Sequence, residues 1–386
     1  MVVTCIPQTG HIAPLMPLAE ALAAQGDDVV VASGPDAEAA ATSAGLAFRP
    51  VAPGFGEWFE ALRARTRGTP GDGLAPDRVE GYFLPRLFGE VGMALMVDGL
   101  LDAARALEPD LLVFDPLLFA APLVGSLLDI PLVHHTIGPL TDPAVLDLVA
   151  DAVSPIWRQF GRDVPPAAGL YGGATLTVCP PSLDPAAASL PGVQALRPAP
   201  MPAAAGPLPF ELPRPGQPLV YVTLGTFSNN LDLFRFLLDA LADEPVNVVA
   251  TIGADKDPAE LEPWPANAVV ERFVPQAELL PHCAAVIHHA GAGTTFGILA
   301  HGLPSVALPQ SADNFTIGRR LGTAGAARAL MPGEAGADAV RKALDDVLTG
   351  TTCREQAALL AAEIGAMPDP AAVAVLLRRR FGARSA

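Results

Sequence analysis

Positive charge is scarce in this sequence, and lysine is almost missing. Lys and Arg together account for 24 of the 386 residues, Asp and Glu account for 41, and the formal net charge is −17 at pH 7. Lys256 and Lys342 are the two lysines. Such an excess of negative charge repels nucleic acid and anionic lipid, so we expect neither a nucleic-acid partner nor a membrane partner.

Cysteine is also rare, and its four positions follow no metal-binding or disulfide pattern. Cys5, Cys179, Cys283 and Cys353 show no C-x-x-C spacing, which favours reduced, buried thiols over a disulfide scaffold. The first basic residue is Arg49, so the sequence begins without the positively charged segment of a signal peptide. We therefore expect a cytoplasmic protein.

Hydrophobic residues are plentiful, at 51%, and their arrangement predicts an α/β fold. Short runs rich in Val, Ile and Leu alternate with Ala- and Leu-rich stretches of helical character, which is the pattern of parallel sheets wrapped by helices. We expect two Rossmann-like, doubly wound domains facing a cleft. The predicted strands are 2–6, 28–33, 46–51, 110–115, 131–137 and 175–179, followed by 218–224, 246–252, 269–274, 284–289 and 305–309.

A proline-rich stretch marks the boundary between these domains. Residues 197–218 read RPAPMPAAAGPLPFELPRPGQP, which is too rich in proline for a helix or a central strand. We place an N-terminal domain at 1–200, a linker at 201–217 and a C-terminal domain at 218–368. Residues 369–386 are expected to form a C-terminal helix or tail, and whether it packs back on the N-terminal domain is left open.

A histidine and an aspartate follow two of the strands predicted in the first half. His11 lies in the loop 7–11 after strand 2–6, and Asp115 ends strand 110–115. Open α/β sheets bind ligands at the carboxyl ends of their strands, where an imidazole oriented by a carboxylate can act as a general base. The alternative is that His11 is structural and that Asp115 forms a turn before Pro116.

The second half contains a loop of small residues between a strand and a helix. Residues 288–295 read HHAGAGTT and precede a helix predicted near 295–300. Free amides at a helix start bind anions, and small side chains let a phosphate approach the backbone. The loop is neither a G-x-G-x-x-G fingerprint nor a P-loop, which argues against a nicotinamide cofactor and against nucleotide hydrolysis. Close helix packing is the alternative reason for its glycines.

These motifs together resemble one enzyme family. The segments that carry the resemblance are QTGHIAP from 8 to 14, RFVPQAELLPH from 272 to 282, HHAGAGTT from 288 to 295, GLP from 302 to 304 and PQSAD from 309 to 313. They resemble the GT-B glycosyltransferases of the family 1 type, and in particular the actinobacterial enzymes that glycosylate enediyne, macrolide and polyketide natural products. The resemblance covers nearly the whole chain and is weakest between about 53 and 105.

The resemblance implies an activity for each domain. The N-terminal domain would bind an acceptor alcohol, and the C-terminal domain a nucleoside diphosphate sugar. The reaction would be a metal-independent, inverting transfer of a hexose or deoxyhexose to a hydroxyl of a hydrophobic aglycone, with no cofactor besides the sugar nucleotide co-substrate. Two alternatives stay open, namely a sugar-nucleotide epimerase or hydrolase of the same fold and a non-catalytic auxiliary protein that binds sugar nucleotides. A homodimer also stays open.

The family's motifs assign roles to particular residues. His11 would be the general base and Asp115 the carboxylate that orients it. The donor would be bound by Thr226, Phe273, Val274, Gln276, His289, Gly291, Gly293, Thr294, Asp313 and Asn314. Structural alternatives stand beside three of these, with Thr226 as a helix cap, Phe273 as a core residue and Asp313 as an N-cap.

Two positions depart from the family pattern. Many relatives carry Gln where this chain has Asn314, and many carry Glu where it has Gly297. In the family, this glutamate binds the ribose hydroxyls. A pocket with Gly297 in its place is therefore better suited to a 2′-deoxyribose. The resemblance therefore implies a thymidine diphosphate (TDP) sugar rather than a uridine diphosphate sugar.

An aromatic stretch supplies candidates for the acceptor pocket, because ligand sites are mostly apolar. The candidate acceptor-binding residues are Phe55, Trp58, Phe83, Phe88 and His134. Glycine and proline between 68 and 76 predict a loop beside them. The alternative is that these side chains close the N-terminal core, since Phe83, Leu87 and Glu90 follow helical spacing. A buried core histidine is likewise the alternative for His134.

One acidic pair has a spacing that metal-dependent glycosyltransferases use. Asp255 and Asp257 flank Lys256 and form the single D-x-D sequence of the chain. No second acidic cluster accompanies them, so we expect no metal site.

Overall fold

The structure is a computed structural model that describes residues 1–66, 74, 76–198, 206–225, 230–311 and 313–381. The chain forms two compact units. The first unit comprises Met1–Cys179, Pro185–Ala199 and Met367–Ala386, and the second comprises Pro180–Asp184 and Pro200–Ala366. Most of the predicted loop at 68–76 and the first five residues of the predicted linker lie outside the described residues.

A parallel sheet forms the centre of the first unit. In its described part, seven strands lie in the order β3-β2-β1-β4-β5-β6-β7. Strands β1, β2, β4 and β5 are largely buried and rich in Val and Leu, as expected for strands of a sheet covered on both faces, whereas the edge strand β3 is largely exposed. The strands are β1 (Val2–Thr4), β2 (Val30–Ser33), β3 (Ala47–Pro50), β4 (Leu112–Phe114), β5 (Leu132–His135), β6 (Ala174–Thr177) and β7 (Val193–Ala195).

Helices connect and cover these strands. They are α1 (Thr9–Ala24), α2 (Glu38–Ser43), α3 (Phe55–Thr66), α4 (Pro76–Phe83), α5 (Met93–Leu107), α6 (Ala120–Leu128), α7 (Pro143–Gln159) and α8 (Pro185–Ala188). A π-helical segment, Leu84–Gly92, joins α4 to α5. Its last glycine lies against Trp58, since a Cβ on Gly92 would come within 2.4 Å of the indole ring. The bulky Trp58 side chain therefore requires a glycine at that position.

The second unit repeats the architecture with a six-stranded parallel sheet in the order β10-β9-β8-β11-β12-β13, counted over its described residues. Its strands are β8 (Leu219–Thr223), β9 (Asn247–Thr251), β10 (Ala268–Glu271), β11 (Ala285–His288), β12 (Ser305–Ala307) and β13 (Ala327–Ala329). Its helices are α9 (Leu231–Ala240), α10 (Gln276–Leu279), α11 (Ala292–Ala300), α12 (Asn314–Thr323), α13 (Ala337–Thr349) and α14 (Thr351–Ala366).

The described part of the predicted linker packs on the second unit. Leu208, Phe210 and Leu212 contact the apolar cluster around Tyr221. The Arg214 guanidinium donates hydrogen bonds to the carbonyl oxygens of Glu244 and Ala242. These residues are therefore an ordered extension of that unit.

The last helix, α15 (Pro370–Phe381), returns to the first unit. It packs on α1, and Arg378 Nε lies 3.3 Å from Oδ1 of Asp27, which follows the end of α1. Upstream of it, the Arg197 amide donates to the Pro368 carbonyl at 2.8 Å. Within the described ranges no single helix has both the length and the apolarity to cross a membrane; α14 and α15 reach that length only when taken together.

The α/β fold and each of the eleven predicted strands are confirmed, although β7 and β13 were not predicted. Both have three residues and carry Gln194 or Arg328 at their centre, so neither shows an apolar run. The predicted loop 7–11 is shorter than expected, because α1 already begins at Thr9. Pro14 and Pro17 lie inside this helix. Because proline normally interrupts helices, the first turns of α1 were not recognisable as helix from the sequence. His11 consequently belongs to the first turn of α1 rather than to a loop.

Candidate active site

Both sheets have a topological switch point, and three of the predicted site residues, His11, Asp115 and His289, follow strands that meet there. In the first unit β1 and β4 are neighbours although they are far apart in the chain, and in the second β8 and β11 are neighbours. At such a point the connections leave toward opposite sides, which opens a crevice at the carboxyl ends of the strands. His11 and Asp115 follow β1 and β4, whereas Gly225 and His289 follow β8 and β11.

His11 and Asp115 face each other at the first switch point. His11 Nδ1 lies 3.4 Å from Asp115 Oδ2, and the Asp115 side chain is fully buried. The Asp115 oxygens also accept two backbone amides, from Ile6 to Oδ2 at 2.7 Å and from Leu117 to Oδ1 at 2.7 Å. The separation of 3.4 Å is slightly longer than a hydrogen bond, and such contacts at catalytic bases commonly tighten in the reacting complex. The arrangement can hold an imidazole in one orientation.

His134 lies on the same sheet, two strands from β1. Its ring packs against Phe114 and Tyr171, with ring centroids 5.5 Å and 5.4 Å apart. It is almost completely buried, and among the described residues neither of its ring nitrogens has a hydrogen-bond partner. Burial, with a smaller effect of neighbouring His135, lowers the pKa of His134 to about 3, so its imidazole is neutral. Its prediction as an acceptor contact remains untested.

The aromatic residues predicted to bind the acceptor differ in burial: three are half-buried and one is completely buried. Phe55 and Phe88 are half-buried and stack with ring centroids 6.3 Å apart, and Phe83 is half-buried against Tyr82. Trp58 is instead completely buried within the apolar core of the first unit. Its prediction as an acceptor contact needs correction, because Gly92 and the surrounding core enclose the ring.

At the second switch point, His289 occupies a slot between two glycines. A Cβ on Gly225 would lie 2.4 Å from His289 Nε2, and a Cβ on Gly291 would lie 2.2 Å from the same atom. Gly225 also has φ +79°, and Ala290 between the histidine and the helix has φ +64°. An alanine in this left-handed region costs about 1–2 kcal/mol. Both glycines are therefore required by the position of the imidazole.

The electrostatics of His289 follow from its burial. Desolvation lowers its pKa to about 4, with a smaller opposing effect of the Thr223 carbonyl. Its Nδ1 is buried without a hydrogen-bond partner of good geometry among the described residues. His289 is thus neutral at pH 7.

The N-terminus of α11 lies directly after this slot. Gly293 is exposed, and a Cβ there would meet no atom within 4 Å. Among the described residues, nothing requires a glycine at 293. Thr294 Oγ1 accepts a hydrogen bond from Gln276 Nε2 at 3.2 Å, which brings two predicted donor residues together. Backbone amides of this first turn and the helix dipole favour an anion.

Phe273 and Val274, which follow β10, differ in exposure. Phe273 is 68% exposed, so it is not the core residue that the alternative interpretation required. The Val274 side chain is buried in the apolar cluster with Leu279 and Tyr221, and only its backbone is left to border a ligand. Its role as a donor contact stays a prediction.

The remaining predicted donor residues lie at the start of α12, after β12. Asp313 occupies the N-cap position and is exposed, whereas Asn314 is buried. Thr226 lies outside the described residues. Tyr221 was not predicted as a site residue, and its buried hydroxyl shares a hydrogen bond of 2.7 Å with Thr251 Oγ1. A buried tyrosine hydroxyl needs hydrogen-bond partners, and this requirement is the signal in the sequence that could have identified Tyr221.

Asp255 and Asp257 have structural partners. Asp257 caps the short helical turn Pro258–Leu261 and lies 3.4 Å from Arg272. Asp255 lies 3.6 Å from Lys256. Within the residues that the structure describes, no group of three or more His, Cys, Asp or Glu side chains has the geometry to hold a metal ion.

Comparison with known proteins agrees with this architecture. Residues 84–201 match the family described as erythromycin biosynthesis protein CIII-like, N-terminal domain, and residues 235–379 match its C-terminal domain. The L-demethylnoviosyl transferase of Streptomyces niveus is 31% identical and the match covers 97% of this chain and 96% of that protein. The glycosyltransferase SnogD from Streptomyces nogalater superimposes with a TM-score of 0.73 at 30% identity, covering 99% of each chain.

A further solved structure, that of the Streptomyces sp. SF2575 glycosyltransferase SsfS6 complexed with thymidine diphosphate, has a TM-score of 0.74. It is 26% identical and the match covers 98% of this chain and 99% of that one. The two Rossmann-like units, together with these relatives, define a GT-B glycosyltransferase. The chain belongs to the erythromycin biosynthesis protein CIII-like glycosyltransferases of natural-product biosynthesis.

Proposed function

We propose that this glycosyltransferase moves a sugar, with inversion at the anomeric carbon, from TDP to a hydroxyl group of a hydrophobic aglycone. The observation that carries the proposal is the contact of 3.4 Å between His11 Nδ1 and Asp115 Oδ2 at the first switch point. A histidine held by a buried carboxylate is the arrangement of an oriented general base.

The chemistry at His11 follows from which nitrogen Asp115 faces. Nδ1 points to the carboxylate, so Nε2 is the nitrogen that removes the proton from the acceptor hydroxyl. The acceptor oxygen then bonds to the anomeric carbon while the bond from that carbon to the diphosphate oxygen breaks. The buried Asp115 carboxylate lies beside the ring and stabilises the imidazolium that forms. One direct displacement inverts the configuration.

The leaving diphosphate would lie against the start of α11. Negative charge develops on it as the bond breaks, and the amides of the first turn together with His289 would stabilise that charge. The open space above Gly293 supports this proposal, because a phosphate needs close access to the backbone. These groups stabilise the charge on the leaving diphosphate, as a metal ion does in other transferases. The proposed reaction therefore requires no metal ion.

The nucleoside would be held at the end of β10. Phe273 exposes its ring, and stacking of a base on an aromatic ring contributes about 1–3 kcal/mol. Gly297 offers no acceptor for a ribose 2′-hydroxyl, which favours thymidine over uridine. The relative whose structure contains thymidine diphosphate supports the same choice.

The acceptor proposal rests on the first unit. Phe55, Phe83 and Phe88 are half-buried and leave apolar ring surface accessible. A bulky aromatic or polyketide alcohol would cover that surface, whereas a free sugar or a peptide would not. A matched relative is named as an L-demethylnoviosyl transferase, which supports a glycosyl group as the transferred group.

Calorimetry with nucleotides tests the donor half of the proposal. We expect TDP to bind at least as tightly as uridine diphosphate, without added Mg²⁺ and in the presence of a chelator. Phe273→Ala should weaken TDP binding about fivefold to a hundredfold. Leu359→Ala, a change at another exposed apolar residue of the second unit, is the control and should not. A clear preference for uridine diphosphate would contradict the donor assignment.

Product analysis tests the reaction. The enzyme is incubated with a TDP-sugar in the presence and in the absence of a panel of phenolic and polyketide alcohols, and products are followed by mass spectrometry and NMR. We expect a glycoside of inverted anomeric configuration that forms only with an acceptor. An altered or released sugar without acceptor would identify an epimerase or hydrolase, and TDP binding without any turnover would identify an auxiliary protein.

A further inference from the structure

His288 ends β11 beside the donor loop, and the proposed chemistry gives it no role. Its side chain is completely buried. Its Nδ1 accepts a hydrogen bond from the Ala290 amide at 3.2 Å, and its Nε2 lies 3.2 Å from Ser305 Oγ. Because Nδ1 accepts, the ring proton must be on Nε2, from which it is donated to the serine. His288 is therefore a buried link with a bond at each end.

Ala290 is the residue that this link holds. It adopts φ +64°, a left-handed conformation that an alanine does not favour by itself. A strained residue of this kind persists only where its surroundings fix it. The turn at Ala290 directs His289 into the slot between Gly225 and Gly291 and sets the start of α11.

The other end of the link is anchored on a neighbouring strand. Ser305 begins β12, which pairs with β11 in the register Val286 to Ser305 and His288 to Ala307. The imidazole thus joins the donor loop to the sheet rather than to another loop. Burial, with a smaller effect of His289, lowers the pKa of His288 to about 3, so the ring keeps its accepting nitrogen at neutral pH.

We propose that His288 is a positioning residue of the donor site. Its neutral imidazole, anchored on Ser305, holds Ala290 in the left-handed turn and thereby aligns His289 and the α11 amides for a nucleoside diphosphate. The identity of the ligand rests on the proposed function, whereas the role of His288 in the turn does not.

Three variants separate this role from simple core packing. In His288→Asn, the amide oxygen takes the place of Nδ1 and can accept the amide two residues later, as in an Asx turn. His288→Leu fills a similar volume and accepts nothing. Adding Ala290→Gly to His288→Leu removes the strain, because glycine adopts the left-handed conformation freely.

TDP binding by calorimetry is the first measurement, with thermal unfolding recorded for each variant. We expect His288→Leu to bind TDP roughly tenfold to a hundredfold more weakly than the wild type. His288→Asn should bind within a few-fold of the wild type, and the double variant should recover at least part of the loss. Equal binding by the Asn and Leu variants, or a loss that follows only the unfolding temperature, would overturn the proposal.

Hydrogen exchange of the Ala290 amide, measured without nucleotide, is the second measurement. The amide should be protected in the wild type and in His288→Asn, and it should exchange at least tenfold faster in His288→Leu. Unchanged protection in His288→Leu would overturn the positioning role even if TDP binds. Protection that responds as expected in a protein that binds no TDP would instead reject the proposed donor and leave the role of His288 standing.

Discussion

Asp115 Oδ2 serves both His11 and the backbone. It lies 3.4 Å from the imidazole Nδ1 and accepts the Ile6 amide at 2.7 Å, while the other oxygen accepts the Leu117 amide. Since both oxygens are held by backbone amides, the carboxylate cannot rotate away from the imidazole. The residue that orients the proposed base is itself fixed by the edge of the sheet.

Replacing His11 by Ala should lower turnover by roughly 10² to 10⁴, because the acceptor loses its general base. TDP affinity should stay near the wild-type value, since the proposed donor residues belong to the second unit. Steady-state kinetics and calorimetry check the two statements. Wild-type turnover in His11→Ala would exclude this residue as the base.

Asp115→Asn separates orientation of the base from support of the backbone. The amide nitrogen that replaces one oxygen cannot accept a hydrogen bond, so one backbone amide, from Ile6 or Leu117, loses its partner. We therefore expect a lower rate together with a lower unfolding temperature, whereas His11→Ala should lower the rate alone. A loss of TDP affinity in Asp115→Asn would show that this aspartate does not act through His11.

Gly293→Ala should weaken TDP binding without weakening the fold. The added methyl meets no atom of the described residues within 4 Å, and alanine in a helix is favoured over glycine by about 0.5–1 kcal/mol. It would, however, occupy the space that the diphosphate needs. Gly365→Ala in α14, where a Cβ also meets nothing within 4 Å, is the matched control. If both variants bind TDP like the wild type, the phosphates do not approach Gly293.

Trp58→Ala should act on stability, because the ring is completely buried. Removing a buried aromatic side chain costs about 3–5 kcal/mol, so unfolding by urea or heat should occur earlier. Phe55→Ala, at a half-buried ring, should instead raise KM for the acceptor with a smaller loss of stability. An unchanged unfolding midpoint in Trp58→Ala with a raised KM would return Trp58 to the acceptor pocket.

His134 should make the protein less stable in mild acid. Burial lowers its pKa from 6.5 to about 3, so between these values the unfolded chain binds a proton that the folded chain does not. Stability is then complete above pH 6.5 and falls as the pH decreases. At pH 5 the loss amounts to about 2 kcal/mol for this group. His134→Leu should reduce the difference between urea unfolding at pH 7 and pH 5, and equal differences in both proteins would contradict the shift.

The fold and the switch-point residues were predictable because both follow from local pattern. Apolar runs of strand length identify the sheets, and the polar residue that follows each run, such as His11 or Asp115, must lie at the carboxyl edge. The short strands β7 and β13 were not predictable in this way. They have no apolar run, and their place in the sheet is set by the neighbouring strand.

Burial of individual aromatic residues was not predictable either. Trp58 and Phe55 lie three positions apart on α3, and composition offers no reason to treat them differently. Contact with Gly92, on a segment more than thirty residues away, decides that Trp58 is interior. The same limit applies to His289, whose need for glycines at 225 and 291 is visible only once β8 and β11 are paired.

The segment Pro180–Asp184 bears on how hybrid enzymes can be built from this chain. It belongs to the second unit although it lies between two parts of the first. Asp184 is buried there with its carboxylate 3.3 Å from Arg320, and the Ser182 amide donates to Glu363 at 3.0 Å. In a chimera joined once near residue 200, residues 180–184 would come from the other protein, whereas 200–366 would come from this chain. Arg320 would then lose the Asp184 carboxylate as its counter-charge. A hybrid that keeps the second unit intact therefore requires residues 180–184 to be transferred together with 200–366.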